Sequence, residues 1–291
     1  MTPPTTPGSQ PGKKDRREQA REKARIEREA EKRRNRRTRI FVQGGVGIVV
    51  LAIIAVIAVV IVNVNTNKPS GAGPLNMASG GIVISGSSLK AVPTKALKSG
   101  AAPIATDTKK LKGVAHIVTY IDYQCPYCDQ FETANESQIG SLVKAGEATV
   151  EIHPIAILDS SSLGNKYSTR AANAAACVAN YDPNDFYAVN TALYANQPAE
   201  NTNGMNDTKL LSILKKGGAS SSKITSCVTS QRFSSFVTAQ TTRVTGGDFN
   251  GTGPKGAKFQ GTPTVFVNGK QYSGSLTDAS AFASFLEQSA S

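Results

Sequence analysis

One uninterrupted apolar run stands out in the pattern of polar and apolar positions. From Ile40 to Val62 the chain has 23 residues without a charge, dominated by Val, Ile and Ala. As a helix, at about 1.5 Å per residue, the run would span about 35 Å, against a bilayer core of about 30 Å. It has no charged face of the kind that a helix on a soluble core turns to water. It therefore predicts a membrane helix. The run exceeds the usual signal-peptide core of about 7–15 residues, and no A-x-A-like site follows it. The next residues are Asn63-Val64-Asn65-Thr66-Asn67. An uncleaved signal anchor is expected.

Residues 63–80 are rich in Asn, Ser, Gly and Pro and read as a linker. The folded domain is placed at residues 81–291. Short apolar runs at 82–84, 114–121 and 148–157 predict strands of the buried type. A helix is expected from Pro126 to about residue 143, with Phe131, Ile139 and Leu142 as its apolar positions. A helical block follows at 168–180, 186–194, 208–214 and 222–241, an insertion spanning about 166–243. After a Gly-rich stretch at 246–261, residues 264–267 predict a strand. Asn268-Gly269 is a hairpin turn signal and the return strand begins near Gln271. A helix at 278–288, with Phe282, Phe285 and Leu286 spaced to pack on a sheet, closes the chain. The order is that of an α/β domain with a helical insertion, preceded by a single transmembrane helix.

Charge fixes the orientation. Residues 1–39 carry 14 of the 33 Lys and Arg but 6 of the 21 Asp and Glu, a net +8 of the total +12. Residues 1–12 are Pro, Thr and Gly without apolar content; 13–39 are charged helix formers with no heptad seam. By the positive-inside rule this tail is cytoplasmic, and the 229 residues beyond Val62 lie outside. A solvated helix touching anionic headgroups explains the basic tail better than nucleic-acid binding does.

All 4 cysteines, Cys125, Cys128, Cys177 and Cys227, follow the apolar run. An even count in an exported domain implies disulfides. Cys125-Pro126-Tyr127-Cys128 falls where a strand meets a helix. There the first sulfur sits at the helix N-terminus, whose N–H groups and dipole favour a thiolate. Pro126 suits the first helical turn, where its missing N–H costs nothing. Zinc needs about four ligands. The only histidines, His116 and His153, lie in predicted strands without ligand spacing, so no metal site is expected. A passive crosslink between Cys125 and Cys128 stays open at this point. Cys177 and Cys227, at either end of the inserted helices, are expected to form a structural disulfide; two separate buried thiols are the alternative. Gly261-Thr262-Pro263-Thr264 precedes the strand at 264–267. A proline there is either an ordinary turn residue or a cis-proline that leaves the backbone before it free to pair with an extended peptide.

Asp122-Tyr123-Gln124-Cys125-Pro126-Tyr127-Cys128, with Phe131 and Glu132 beyond it, resembles the DsbA-like branch of the thioredoxin superfamily. So does Gly261-Thr262-Pro263-Thr264-Val265-Phe266-Val267-Asn268-Gly269. The style is that of the membrane-anchored form of Gram-positive bacteria, and the resemblance covers roughly residues 80–288. It implies a thioredoxin-like fold, Cys125 as exposed nucleophile and Cys128 as buried resolving thiol, with Pro126 and Tyr127 tuning the pair. It also implies Thr262 and a cis-Pro263 facing the sulfurs and binding substrate, no bound cofactor, and regeneration by a membrane quinone-linked oxidase. The expected activity is disulfide formation in exported cysteine-containing proteins. A reductase or isomerase on the same fold is the alternative. One departure matters: where many relatives carry a buried acid, six residues before the nucleophile, this chain has Thr119. Glu132, Asp122 or Asp129 are the acids nearby in sequence.

Overall fold

Six strands form one sheet in the order β2-β1-β4-β3-β5-β6. They are β1 (Ile82–Ser85), β2 (Lys90–Ala91), β3 (Ala115–Ile121), β4 (Ala148–Pro154), β5 (Thr264–Val267) and β6 (Lys270–Gln271). This architecture comes from a computed structural model, which describes residues 71–110 and 115–290. The expected basic tail and the apolar run from Ile40 to Val62 lie outside the described residues. Among those described, no helix is long and apolar enough to cross a membrane.

Strands β3 and β4 are parallel, in register from Ala115 opposite Ala148 to Ile121 opposite Pro154, and every other pair is antiparallel. A parallel pair needs a crossover. Helix α1 (Pro126–Ala145) supplies it and stops at Gly146, whose left-handed φ of 76° lets its N–H reach back to the last turn. Every residue of β3 and β4 is buried, which is why both read as apolar runs rather than as alternating strands. The two-residue period still sorts their side chains. Ile117, Ile121, Val150, Ile152, Val265 and Val267 enter the main core, where Phe131 of α1 meets Phe282 of the C-terminal helix edge to face at 5.1 Å. Val118, Tyr120 and Phe266 face the other way, into a smaller core with Ile155, Ile157, Val244 and Phe249.

The insertion comprises α2 (Tyr167–Tyr181), α3 (Phe186–Tyr194), α4 (Asp207–Lys216), α5 (Ser222–Thr229) and α6 (Ser234–Thr245); α7 (Ala279–Ala290) closes the fold. The stretch 222–241, expected as continuous helix, is two helices. Gln231 takes a left-handed φ of 53°, and the Phe233 N–H leaves the helical ladder for Asn173 Oδ1 at 2.8 Å. Cys177 of α2 is joined to Cys227 of α5 (S–S 2.05 Å, Cα–Cα 5.9 Å). Residues 71–80, which composition assigns to the linker, are instead packed on the domain. Met77 is buried, the Gly73 N–H bonds Leu97 O at 2.9 Å, and Asn76 Nδ2 bonds Ala179 O at 2.8 Å. The small and polar residues there make turns and specific bonds rather than a free tether.

The parallel register of β3 and β4 also brings both histidines onto one carboxylate. His116 Nε2 and His153 Nε2 lie 2.9 Å from the two oxygens of Glu151, which is fully buried. His116 Nδ1 pairs with Thr149 Oγ1, and His153 stacks on Tyr120 with ring centroids 4.3 Å apart. Gly81 is required beside them, since a Cβ there would come within 2.5 Å of the His153 ring. Burial pushes the Glu151 carboxyl up, but hydrogen bonds from His116 and His153 outweigh it and hold it well below the carboxylate range. Burial, against the pull of Glu151, holds His153 below its ordinary 6.5. Both folded-state values are depressed, so in each case the unfolded chain binds protons first. The contribution of these two groups to stability is thus expected to fall as pH drops below about 6.5 and to keep falling through the carboxylate range, against the opposite contribution of the raised Asp122 and Glu132 carboxyls. Glu151→Gln orphans one imidazole N–H and should cost about 2 kcal/mol at neutral pH, while flattening that acid dependence. Denaturant melts at several pH values check both; an unchanged pH slope in the variant contradicts the assignment.

Candidate active site

The chain turns from β3 into α1 over residues 122–125. The Cys125 N–H bonds Asp122 O at 3.0 Å, and the Cys125 carbonyl accepts the first helical bonds, from Cys128 N at 3.0 Å and Asp129 N at 3.2 Å. Cys125 is therefore the N-cap of a 20-residue helix with Pro126 in its first turn. Its side chain makes no capping bond, so the sulfur sits at the positive end of the helix without closing that end.

Cys125 and Cys128 are both free thiols. The structure differs from expectation on exposure. Cys125 is only 4% exposed and Cys128 is fully buried, while Pro126 and Tyr127 are the open residues of the motif. The reason is the loop before β5. Cys125 Sγ donates to the Thr262 carbonyl at 3.2 Å, and the Thr262-Pro263 peptide is cis. The buried Thr262 hydroxyl has no hydrogen-bond partner among the described residues.

The two thiols are electrostatically unequal. A hydrogen bond from the Cys128 thiol lowers the Cys125 pKa; burial opposes it, Thr262 assists it, and the Asp122 charge works against it. Burial, and donation of its proton to Cys125, push Cys128 well above the thiol range. The first thiol to ionise is therefore Cys125, with the second proton held beneath it. Such a thiolate can attack a disulfide sulfur, expelling the far sulfur as a thiolate and forming a mixed disulfide. Cys128 then gives up its proton, attacks Cys125 Sγ and releases the partner as a thiol.

The surrounding polar groups are arranged in two sets. On one side the Asp122 carboxylate accepts the N–H groups of Gln124 (2.8 Å), Ile157 (2.8 Å) and Leu158 (3.0 Å), tying the turn to the end of β4. Burial nevertheless raises its pKa to about 6. On the other side the insertion closes over the turn. Tyr123 OH donates to Asn190 Oδ1 at 3.0 Å, and Asn190 Nδ2 donates to Glu132 Oε2 at 3.2 Å. Gln197 Nε2 donates to the carbonyls of Tyr123 (3.1 Å) and Cys125 (3.0 Å). Glu132 lies one turn beyond Cys128 on the same face of α1. Burial, reinforced by Glu136, raises it to about 8, so that it is mostly protonated at neutral pH. Thr119 is buried with an unpartnered hydroxyl among the described residues.

Sequence reasoning thus singled out Cys125, Pro126, Tyr127, Cys128, Thr262 and Pro263, and the fold brings the two cysteines together with Thr262. It missed Tyr123, Asn190, Tyr194 and Gln197. Asn190 carried a signal, as a polar residue on the face of α3 that otherwise buries Phe186, Val189 and Leu193. Gln197 carried none. Cys177 and Cys227 lie in the insertion, apart from these contacts.

The thioredoxin family profile matches residues 110–288 of the chain. Among solved structures, the reduced disulfide bond oxidoreductase DsbG of Mycobacterium tuberculosis is 27% identical, with a TM-score of 0.50 over 60% of this chain and 77% of that one. Oxidised DsbA of the same organism is 26% identical, with a TM-score of 0.51 over 72% and 92%. The fold is shared at 20% identity with MdbA, a thiol-disulfide oxidoreductase of Corynebacterium diphtheriae, with a TM-score of 0.53 over 77% and 97%. No curated protein sequence matches. A profile that spans both the cysteine turn and the loop under which Cys125 lies covers all of the redox geometry described above, and the chain accordingly belongs to the thioredoxin family, in its DsbA-like branch of thiol–disulfide oxidoreductases.

Proposed function

We propose that the protein is a dithiol oxidase that forms disulfides in exported proteins through Cys125-Pro126-Tyr127-Cys128. The observation that carries the direction is the inequality of the two thiols. A thiolate favoured at Cys125 stabilises the reduced dithiol, and a stable reduced form makes the disulfide a strong oxidant. Thr262 and Pro263 hold the substrate strand against Cys125, and Pro126 and Tyr127 tune the pair. A reductase or isomerase on the same fold draws on one feature, the buried Asp122 carboxylate, which pushes Cys125 the other way.

The catalytic domain works outside the cell membrane. Residues 1–39 stay in the cytoplasm, Ile40 to Val62 forms the anchor, and a membrane quinone-linked oxidase restores the Cys125/Cys128 disulfide. The steep drop in basic charge across the apolar run supports that orientation. A Cys177–Cys227 bond suits an oxidising compartment. An impermeant protease applied to intact cells should digest the domain and spare the tail, and the oxidised full chain should restore activity to a reduced, unfolded disulfide protein. Protection of the domain from protease contradicts the topology. Failure to donate its disulfide contradicts the oxidase reading.

A further inference from the structure

The active-site turn is held from the helical insertion at almost every backbone oxygen. Tyr194, at the end of α3, packs its ring on Tyr123 at 5.3 Å and directs its hydroxyl to Asp122 O at 3.4 Å. Three residues later, the amide of Gln197 spends its two N–H donors on the carbonyls of Tyr123 and Cys125. The chain separation of 72 to 74 residues makes these tertiary bonds, and the Gln197 backbone is itself fixed. Its N–H bonds Tyr194 O at 2.9 Å, and the following Pro198 restricts it to extended conformations.

We propose that Gln197 is a positioning residue for the thiol–disulfide reaction: its amide clamps the carbonyl of Cys125 and thereby sets how readily the Cys125 thiol ionises. The inference rests on the reading of Cys125 as the nucleophile. The clamped carbonyl is the one that also receives the Cys128 and Asp129 N–H groups, so it fixes where the N-terminus of α1 points relative to Cys125 Sγ. No side chain inside the turn does this, since Cys125 makes no capping bond. The amide also places the positive end of its dipole against the nucleophile's own peptide group. On the opposite flank the Asp122 carboxylate raises the thiol, and beneath it Cys128 lowers it. Tyr194 and the mostly protonated Glu132 complete the surroundings on the insertion side. Gln197 is thus a neutral donor that opposes Asp122 without adding a charge that would persist through the redox cycle. In this view the insertion tunes the cysteine pair as well as enlarging the domain.

The test uses the reduced full chain and two variants. Gln197→Met keeps length and removes both donors. Gln197→Glu is nearly isosteric, removes both donors at neutral pH and adds a carboxylate. Thiolate absorbance against pH, the alkylation rate of Cys125 at mildly acid pH, and thermal melting are read together. The Met variant should titrate at higher pH than the wild type, with alkylation slowed about three- to tenfold, the effect of losing roughly one hydrogen bond's worth of thiolate stabilisation. The Glu variant should move further in the same direction. If either folded variant keeps the wild-type titration and alkylation rate, with only its melting temperature reduced, Gln197 is a brace and the inference is overturned. If the wild-type thiol itself shows no ionisation below the ordinary thiol range, the assignment of Cys125 as nucleophile fails instead, a result visible without any variant.

Discussion

A Cys128→Ser protein is expected to accumulate as mixed disulfides with its substrates, and a Cys125→Ser protein to accumulate none. The expectation follows from the depth and the protons of the two sulfurs. Cys125 caps α1 and is the thiol whose pKa falls, so attack on a substrate disulfide, or attack by a substrate thiolate on the oxidised pair, takes place there. Cys128 is fully buried and holds its proton tightly, so in the reduced pair it reacts only once the Cys125 sulfur is bonded to substrate, and in the oxidised pair it is the sulfur expelled. Removing Cys128 abolishes the oxidised pair but leaves attack of the Cys125 thiolate on a substrate disulfide, and the resulting mixed disulfide has only an outside thiol to release it. Catalytic turnover should fall to about the rate of uncatalysed exchange in both variants, while only one yields adducts on non-reducing gels. Faster alkylation of Cys128 than of Cys125 at neutral pH would reverse the roles.

The second large effect belongs to the other cysteine pair. Replacing Cys177 and Cys227 together with Ser opens a link across 50 residues between α2 and α5. Loop closure of that length contributes about 4 kcal/mol on the chain-entropy account. For a domain of this size that corresponds to a fall in Tm of about 10 °C. Neither residue takes part in the hydrogen bonds around Cys125, so the variant, below its melting point, should oxidise thiols at a rate close to wild type. Loss of activity at unchanged Tm would show that the redox role had been given to the wrong pair.

The parts of the fold readable in the sequence are those set by local pattern. The buried runs of β3 and β4, the Asn268-Gly269 hairpin and the helix behind Pro126 follow from composition and turn chemistry within a few residues of each other. The placement of Cys125 and Cys128 at a strand–helix junction was legible for the same reason, as a short motif between two patterned runs. What was not legible depends on register and long-range contact. His116 and His153 looked like isolated strand residues; His153 shares a strand face with Glu151, and only the parallel pairing of β3 with β4 brings His116 to the same carboxylate. The break between α5 and α6 rests on Asn173, some sixty residues away in α2. Residues 71–80 have a linker's composition, yet bonds to Leu97 and Ala179 hold them in place. Gln197 is one polar residue among many in the insertion until the fold lays it on the Cys125 carbonyl. Near-closure of Cys125 under Thr262 likewise needed the loop before β5 to be placed in three dimensions.

The central claim is that Cys125 and Cys128 form a redox pair poised to oxidise other proteins. Equilibrating the full chain with glutathione buffers of graded ratio, trapping free thiols and counting those on Cys125 and Cys128 measures it directly. The account predicts a single two-electron transition of this pair, with Cys177–Cys227 remaining closed, at a potential near the roughly −120 mV typical of DsbA and well above about −200 mV. A midpoint near the roughly −270 mV of thioredoxin would contradict the oxidase direction, and a pair that does not exchange with glutathione at all would contradict the assignment of the site.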